Sequence, residues 1–181
     1  ELRFGLGSAY VARTGGVRAD NLETAIAHLE AVLVVWTRES DAQNWARAHN
    51  NAGIAYWGRI RGERGNNQEK AIAHFEAALN IFSREAAAQE WARLQNNLAI
   101  VYYNRIHGER AANAEAAIAH FEAALTVFTR EADPYLWATA QSNLGAAYRS
   151  RIRGERADNR EKAIAHLDAA LAALTREAAP H

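Results

Sequence analysis

The sequence returns to itself at a fixed interval. The string NNAGIAYWGRIRGER (Asn50 to Arg64) recurs as NNLAIVYYNRIHGER (Asn96 to Arg110) and SNLGAAYRSRIRGER (Ser142 to Arg156), each start 46 residues after the previous one. A second string, IAHFE or IAHLE/D, keeps the same interval at Ile26, Ile72, Ile118 and Ile164. A period of roughly 20 to 50 residues marks an array of stacked units. Each unit contacts its neighbours, and no single core closes over the whole chain. The 181 residues hold four copies, about 1–40, 41–86, 87–132 and 133–181, the first cut short. They are expected to form one array, 1–181.

Each copy reads as two helices. In the third, Trp91, Leu94, Leu98, Val101, Tyr102 and Ile106 fall at steps of three and four, with one adjacent pair, and neither Pro nor Gly interrupts them. That spacing puts one apolar stripe on a helix. The second helix of the copy carries Ile118, Phe121, Leu125 and Phe128, with Ala117 and Ala124 beside them to allow close helix approach. The pattern predicts an all-α chain of eight helices, at about 1–14, 21–39, 42–61, 67–85, 88–107, 113–131, 134–153 and 159–177. Phe75, Phe121 and Tyr102 are expected in the core. A lone helical hairpin cannot bury its stripe, so the copies must stack into a solenoid.

Punctuation repeats as well. Gly16, Gly62, Gly108 and Gly154 each follow a first helix, where glycine enters the left-handed conformation of a C-cap without a Cβ penalty. Asn21, Asn67, Asn113 and Asn159 stand where the second helices are predicted to start, and Asn is a strong N-cap. Asp20 with Glu23, Asn66 with Glu69 and Asp158 with Glu161 have the spacing of capping boxes. Pro134 suits the first turn of a helix.

Composition excludes several classes. Formal charge is zero, with 21 basic and 21 acidic residues. A nucleic-acid-binding chain normally has a basic excess. Cysteine is absent, which removes disulfides and cysteine-based zinc sites. No apolar run approaches the ~20 residues of a membrane span, and no signal peptide is visible. A cytoplasmic location without membrane or nucleic-acid partners is expected. The chain opens at Glu1 inside a repeat, as an excised or processed fragment would.

The combined pattern resembles the tetratricopeptide repeat family. Its Leu-Gly-x-x-Tyr and Ala-x-x-x-Phe signature is matched by Leu144, Gly145, Tyr148, Ala163, Leu167 and Ala170. The other copies match at Leu98, Ala99, Tyr102, Ala117, Phe121 and Ala124, at Ala52, Gly53, Tyr56, Ala71, Phe75 and Ala78, and at Leu6, Gly7, Tyr10, Ala25 and Leu29. The match covers nearly the whole chain. The unit is longer than the family's 34 residues, the family's closing Pro is missing, and its Trp is replaced by His49, Gln95 and Gln141. Long units of this kind are similar to those of kinesin light chains and of bacterial arrays that precede caspase-like protease or signalling domains. The resemblance implies a right-handed superhelical solenoid whose first helices line a concave groove that binds a peptide or protein segment.

Within that expectation several columns are candidate groove residues. Asn51, Asn97 and Asn143, with Asn50 and Asn96 beside them, offer donors and an acceptor to an extended backbone. The same column also suits hydrogen bonding between adjacent first helices. Arg47 and Arg93 lie four residues before Asn51 and Asn97, on the same face. Trp57, Tyr103 and Arg149 lie two turns beyond Asn50, Asn96 and Ser142. Arg and aromatics favour binding hot spots, and Arg pairs with carboxylates bidentately, so an acidic partner is expected. A solvated charged face is the competing reading. Arg13, Arg59, Arg105 and Arg151 form a further column. Arg18, Arg64, Arg110 and Arg156 form another, accompanied by Glu63, Glu109 and Glu155, and ion pairs that fix the added loop are expected there. His28, His74, His120 and His166 are in register, but one His per helix is poor zinc geometry, so no metal or cofactor is expected.

No P-loop, G-x-S-x-G or H-E-x-x-H motif occurs, and the chain is not expected to be an enzyme. The leading expectation is a peptide-binding module, the sensor or adaptor part of a larger bacterial protein. The alternative is a structural spacer or self-associating assembly module, or an engineered fragment, with no peptide ligand. Apolar residues in both terminal helices, Leu167, Leu171 and Leu174 among them, predict end-to-end homodimers.

Overall fold

The structure, a computed structural model, describes residues 1–178. Among these the chain is all-α, eight helices without a strand. They are α1 (Leu2–Ala12), α2 (Arg18–Leu33), α3 (Ala42–Gly58), α4 (Arg64–Leu79), α5 (Ala88–Tyr103), α6 (Arg110–Leu125), α7 (Pro134–Ser150) and α8 (Arg156–Ala178). Each repeat is a helix–loop–helix pair, as the period predicts.

The pairs fall into two compact units, Glu1–Ala87 and Ala88–His181. In the first, α1 packs on α2, α2 on α3 and α3 on α4, and α1 touches α3. In the second, α5 packs on α6, α6 on α7 and α7 on α8, and α5 touches α7. Phe75 and Phe121 are fully buried, as expected. Burying such a side chain contributes about 1.5–3 kcal/mol. Small residues set the helix spacing. At Gly53 a Cβ would lie 2.5 Å from Cε1 of Phe75, so only glycine permits that approach. Tyr102 is half-buried against the core rather than within it.

The helix boundaries correct the sequence reading. The four glycines do adopt positive φ, between 78° and 81°. They sit inside loops, however, because the first helices end earlier, with Arg13, Arg59 and Arg151 in extended conformation at three of the C-caps. Nor do the four asparagines cap the second helices. Those helices start three residues sooner, at Arg18, Arg64, Arg110 and Arg156, and their N-caps at Val17, Glu63 and Glu109 make no side-chain cap bond. Asn21, Asn67, Asn113 and Asn159 are instead buried in the first turn of each helix. Each Nδ2 donates to a carbonyl of the preceding loop: Gly15 at 2.8 Å, Arg61 at 2.9 Å, His107 at 2.8 Å and Arg153 at 2.8 Å. In the first of the predicted capping boxes, Glu23 and Asp20 turn instead to Arg59 and Arg61 of the next copy.

The second helices also stop six residues short of expectation, at Leu33, Leu79 and Leu125. A hydroxyl column explains the break. Thr37, Ser83 and Thr129 oxygens accept from the backbone N–H groups of Ser40, Ala86 and Ala132 at 3.2 Å, which starts a separate turn. Phe82 and Phe128, just before it, are buried and anchor the turn. Asp41 and Asp133 then cap α3 and α7, accepting from Asn44 and Leu136, and Pro134 takes its expected place in the first turn.

Candidate functional site

The first helix of each repeat presents two kinds of polar residue, one locked into the fold and one open to solvent. The locked set centres on the tyrosine column. Tyr56 stacks on His74 at 5.5 Å between ring centroids, and Tyr102 and Tyr148 repeat this with His120 and His166. Arg59 and Arg151 lie 5.8 Å from the centroids of Tyr56 and Tyr148. The Tyr56 hydroxyl donates to Glu30 of the preceding copy, and that of Tyr148 to Glu122 at 2.6 Å. Burial, reinforced by the facing carboxylate, pushes both phenols up to about 12.

The arginines beside these tyrosines are bidentate. Nε and Nη2 of Arg59 hold both carboxylate oxygens of Glu23 at 2.8 Å. Arg151 holds Glu115 in the same way, at 2.8 and 2.7 Å. Charge-assisted pairs of this geometry are among the stronger hydrogen bonds. They keep the Glu23 and Glu115 carboxyls below their ordinary range. These ion pairs join one hairpin to the preceding one; they are not the loop-fixing pairs with Glu63, Glu109 and Glu155 that the sequence suggests. Arg18 in the next column donates to the Val11 carbonyl at 2.7 Å, and the Arg64 guanidinium lies 5.9 Å from the Trp57 ring centroid.

The histidine column is committed to structure as well. Besides the tyrosine stack, Nδ1 of His120 meets Oε1 of Gln95 at 2.5 Å, and that of His166 meets Gln141 at 2.6 Å. In the second copy the partner is another histidine, His49, whose Nδ1 is 2.9 Å from that of His74. Sequence reasoning missed this pairing, although the partners are 25 residues apart each time. It accounts for His49, Gln95 and Gln141: each faces an imidazole, which needs a hydrogen-bonding partner.

The open set contains the candidate groove residues. On α3, Arg47 is exposed, and Asn50, Asn51 and Trp57 are half-buried. Asn51 donates to Ser8 of α1 at 2.8 Å and accepts from Asn50 at 3.3 Å. In the first unit, then, the asparagine column does link adjacent first helices. The link is local: Ile54 and Ile100 stand one and two periods after Ser8. On α5, Arg93 and Tyr103 are exposed, while Asn96 and Asn97 are half-buried. Oδ1 of Asn96 is enclosed without a partner among the described residues. On α7, Asn143 is half-buried and Arg149 exposed. Asn143, Arg47, Arg93 and Arg149 make no hydrogen bond or ion pair among the described residues. Spacings of three, four and seven tie Arg47, Asn50, Asn51 and Trp57 together on α3, and Arg93, Asn96, Asn97 and Tyr103 on α5, whereas Asn143 and Arg149 on α7 are six residues apart.

No protein-family model matches the sequence, and no curated protein matches it. The chemistry of this face therefore has to be read from its own residues. In the first unit Arg47 can make charge-assisted contacts, the asparagines amide contacts and Trp57 apolar contacts; in the second unit Arg93 and Arg149, the asparagines and Tyr103 can do the same. Among the described residues no group of three His, Asp or Glu side chains could hold a metal ion. No helix among them is long and apolar enough to cross a membrane.

Proposed function

We propose that the chain is a protein-interaction module of the tetratricopeptide type, which captures an extended acidic peptide segment along the exposed faces of its first helices. The observation that carries this reading is the division of labour among the arginines. Arg59 and Arg151 are held in bidentate pairs with Glu23 and Glu115, whereas Arg47, Arg93 and Arg149 are exposed and without an ion pair among the described residues. The chain's net charge of zero means these open cations are a local feature and not a general basic excess.

Binding is equilibrium capture. Arg47, Arg93 and Arg149 meet side-chain or terminal carboxylates. Asn143, and Asn51 through its second amide proton, meet the peptide backbone. Trp57 in the first unit and Tyr103 in the second add apolar contacts. Asn50 holds Asn51 in place through its amide. The reading assigns no catalysis to the chain and places it in a bacterial cytoplasm as the sensor or adaptor part of a larger protein.

A fluorescently labelled glutamate-rich peptide, titrated by anisotropy, tests it. Arg93→Ala and Arg149→Ala remove exposed side chains, so folding is unaffected. We expect the double variant to bind at least about tenfold more weakly, and binding by the unaltered chain to weaken as salt rises. Equal affinity for both chains, or no binding by either, overturns the assignment.

A further inference from the structure

We propose that the cleft between the α5–α6 loop and the end of α7 binds a small organic acid, a single carboxylate carried on an apolar group. The site meets the proposed peptide face only at Tyr103. It goes beyond the peptide-binding reading and does not depend on it.

The cleft has a volume of about 400 Å³. Small-molecule sites usually span about 300–1,000 Å³. Tyr103 at the end of α5, Arg105 and Ile106 of the loop, Arg110 and Asn113 of α6 and Ser150 at the end of α7 line it. All of them lie in the second unit. The following hairpin is already in place there, with α7 packed on α6 and α8 on α7. A further copy of the repeat therefore does not cover the cleft. Two large apolar side chains nevertheless remain in water, Ile106 at 59% and Tyr103 at 37% exposure.

The cation selects the ligand. In the first two copies the arginine that opens the second helix is engaged: Arg18 donates to the Val11 carbonyl at 2.7 Å, and the Arg64 guanidinium lies 5.9 Å from the Trp57 ring centroid. The residue seven places earlier is Val11, then Trp57, and in the third copy Tyr103. Arg110 is exposed and makes no hydrogen bond, ion pair or ring contact among the described residues. Arg105 beside it is held, by Oδ1 of Asn113 at 3.3 Å and over the Tyr102 ring at 5.3 Å. Among the described residues no Asp or Glu lines the cleft. A guanidinium offers a carboxylate two parallel N–H donors. One unengaged cation balances one negative charge, not the nearly double charge of a phosphate monoester. Ile106 and Tyr103 then cover the apolar group, so burial and charge pairing act on the same ligand. Exposed isoleucines recur at this loop position as Ile60 and Ile152. What the third copy adds is the open arginine.

Amide-resolved NMR of the nitrogen-labelled chain, titrated with benzoate, tests this. We expect saturable shifts centred on Tyr103, Ile106 and Arg110, and none from benzamide, which has the same ring without the charge. Arg110→Gln removes the cation at an exposed position, and amides away from the cleft report that the fold is kept. We expect this variant to bind benzoate at least about fivefold more weakly. Arg64→Gln, the equivalent change one copy earlier, leaves the affinity unchanged. Inorganic phosphate binds more weakly than benzoate. Shifts that do not saturate, equal binding of benzamide or of phosphate, an Arg110→Gln affinity equal to that of the unaltered chain, or an equal loss in Arg64→Gln overturns the proposal.

Discussion

The His49–His74 pair departs from the imidazole–glutamine pattern of the third and fourth copies. In the third and fourth copies a glutamine oxygen faces the imidazole and can only accept, so histidine Nδ1 carries the proton. In the second copy two imidazoles meet, and one must donate while the other accepts. Protonating both sets N–H against N–H. Burial pushes His49 down to about 4, with the charge of His74 adding to it, and burial lowers His74 as well. Around His74 lie the Tyr56 ring, Glu30, which favours its charged form, and Lys70, which opposes it; Trp45 packs on His49 at 4.2 Å. The folded state binds protons less readily than the unfolded chain, whose histidines titrate near 6.5. The resulting stability is therefore complete above that value and is lost as pH falls from there toward about 4. His49→Gln installs the glutamine used by the later copies. We expect the melting temperature of the variant to fall less between neutral pH and pH ~5 than that of the unaltered chain. An identical fall in both would remove His49 from the titration.

At the scale of the element, the buried asparagines decide how each loop lies on its second helix. Asn113 donates to the His107 carbonyl and accepts from Nη1 of Arg105 at 3.3 Å. This role separates from capping by substitution. A serine caps as well as an asparagine, but its hydroxyl is too short to span from the helix to the loop. We expect Asn113→Ser to cost about 1–3 kcal/mol, as an orphaned buried acceptor does, measured by urea unfolding. A near-neutral result would return the residue to a capping role. The same residues show what was legible beforehand. The number and phase of the helices were, because apolar spacing is set locally along a helix and repeats four times. The boundaries were not. Asn and Gly are the residue types of caps, and their use as a loop pin depends on a carbonyl six residues away. Likewise, Arg59 and Arg93 are equivalent in composition. Only packing gives the first a glutamate from the preceding hairpin and leaves the second exposed, so the locked and open arginines could not be separated in advance.

For the whole molecule, the question is how much one hairpin owes to its neighbour. Within the second unit, α7–α8 joins α5–α6 through the cluster around Leu144 and through the Glu115–Arg151 and Glu122–Tyr148 bonds. The ion pair is about a quarter exposed, at 24% and 28%, so water screens it. Such a pair contributes up to about 1 kcal/mol. Removing Leu144 costs about 2–5 kcal/mol, since it is fully buried and leaves a cavity. Packing therefore outweighs the polar locks as the source of coupling, and the locks set register. In an array, stability is the sum of each hairpin's own term and its nearest-neighbour terms. Leu144→Ala weakens one such term and should act unevenly. We expect hydrogen exchange to show α7 and α8 losing protection well before α5 and α6, while in the unaltered chain the two hairpins exchange together. Equal loss across all four helices would mean that the unit unfolds as one body. The neighbour term would then be too large for a single leucine to uncouple.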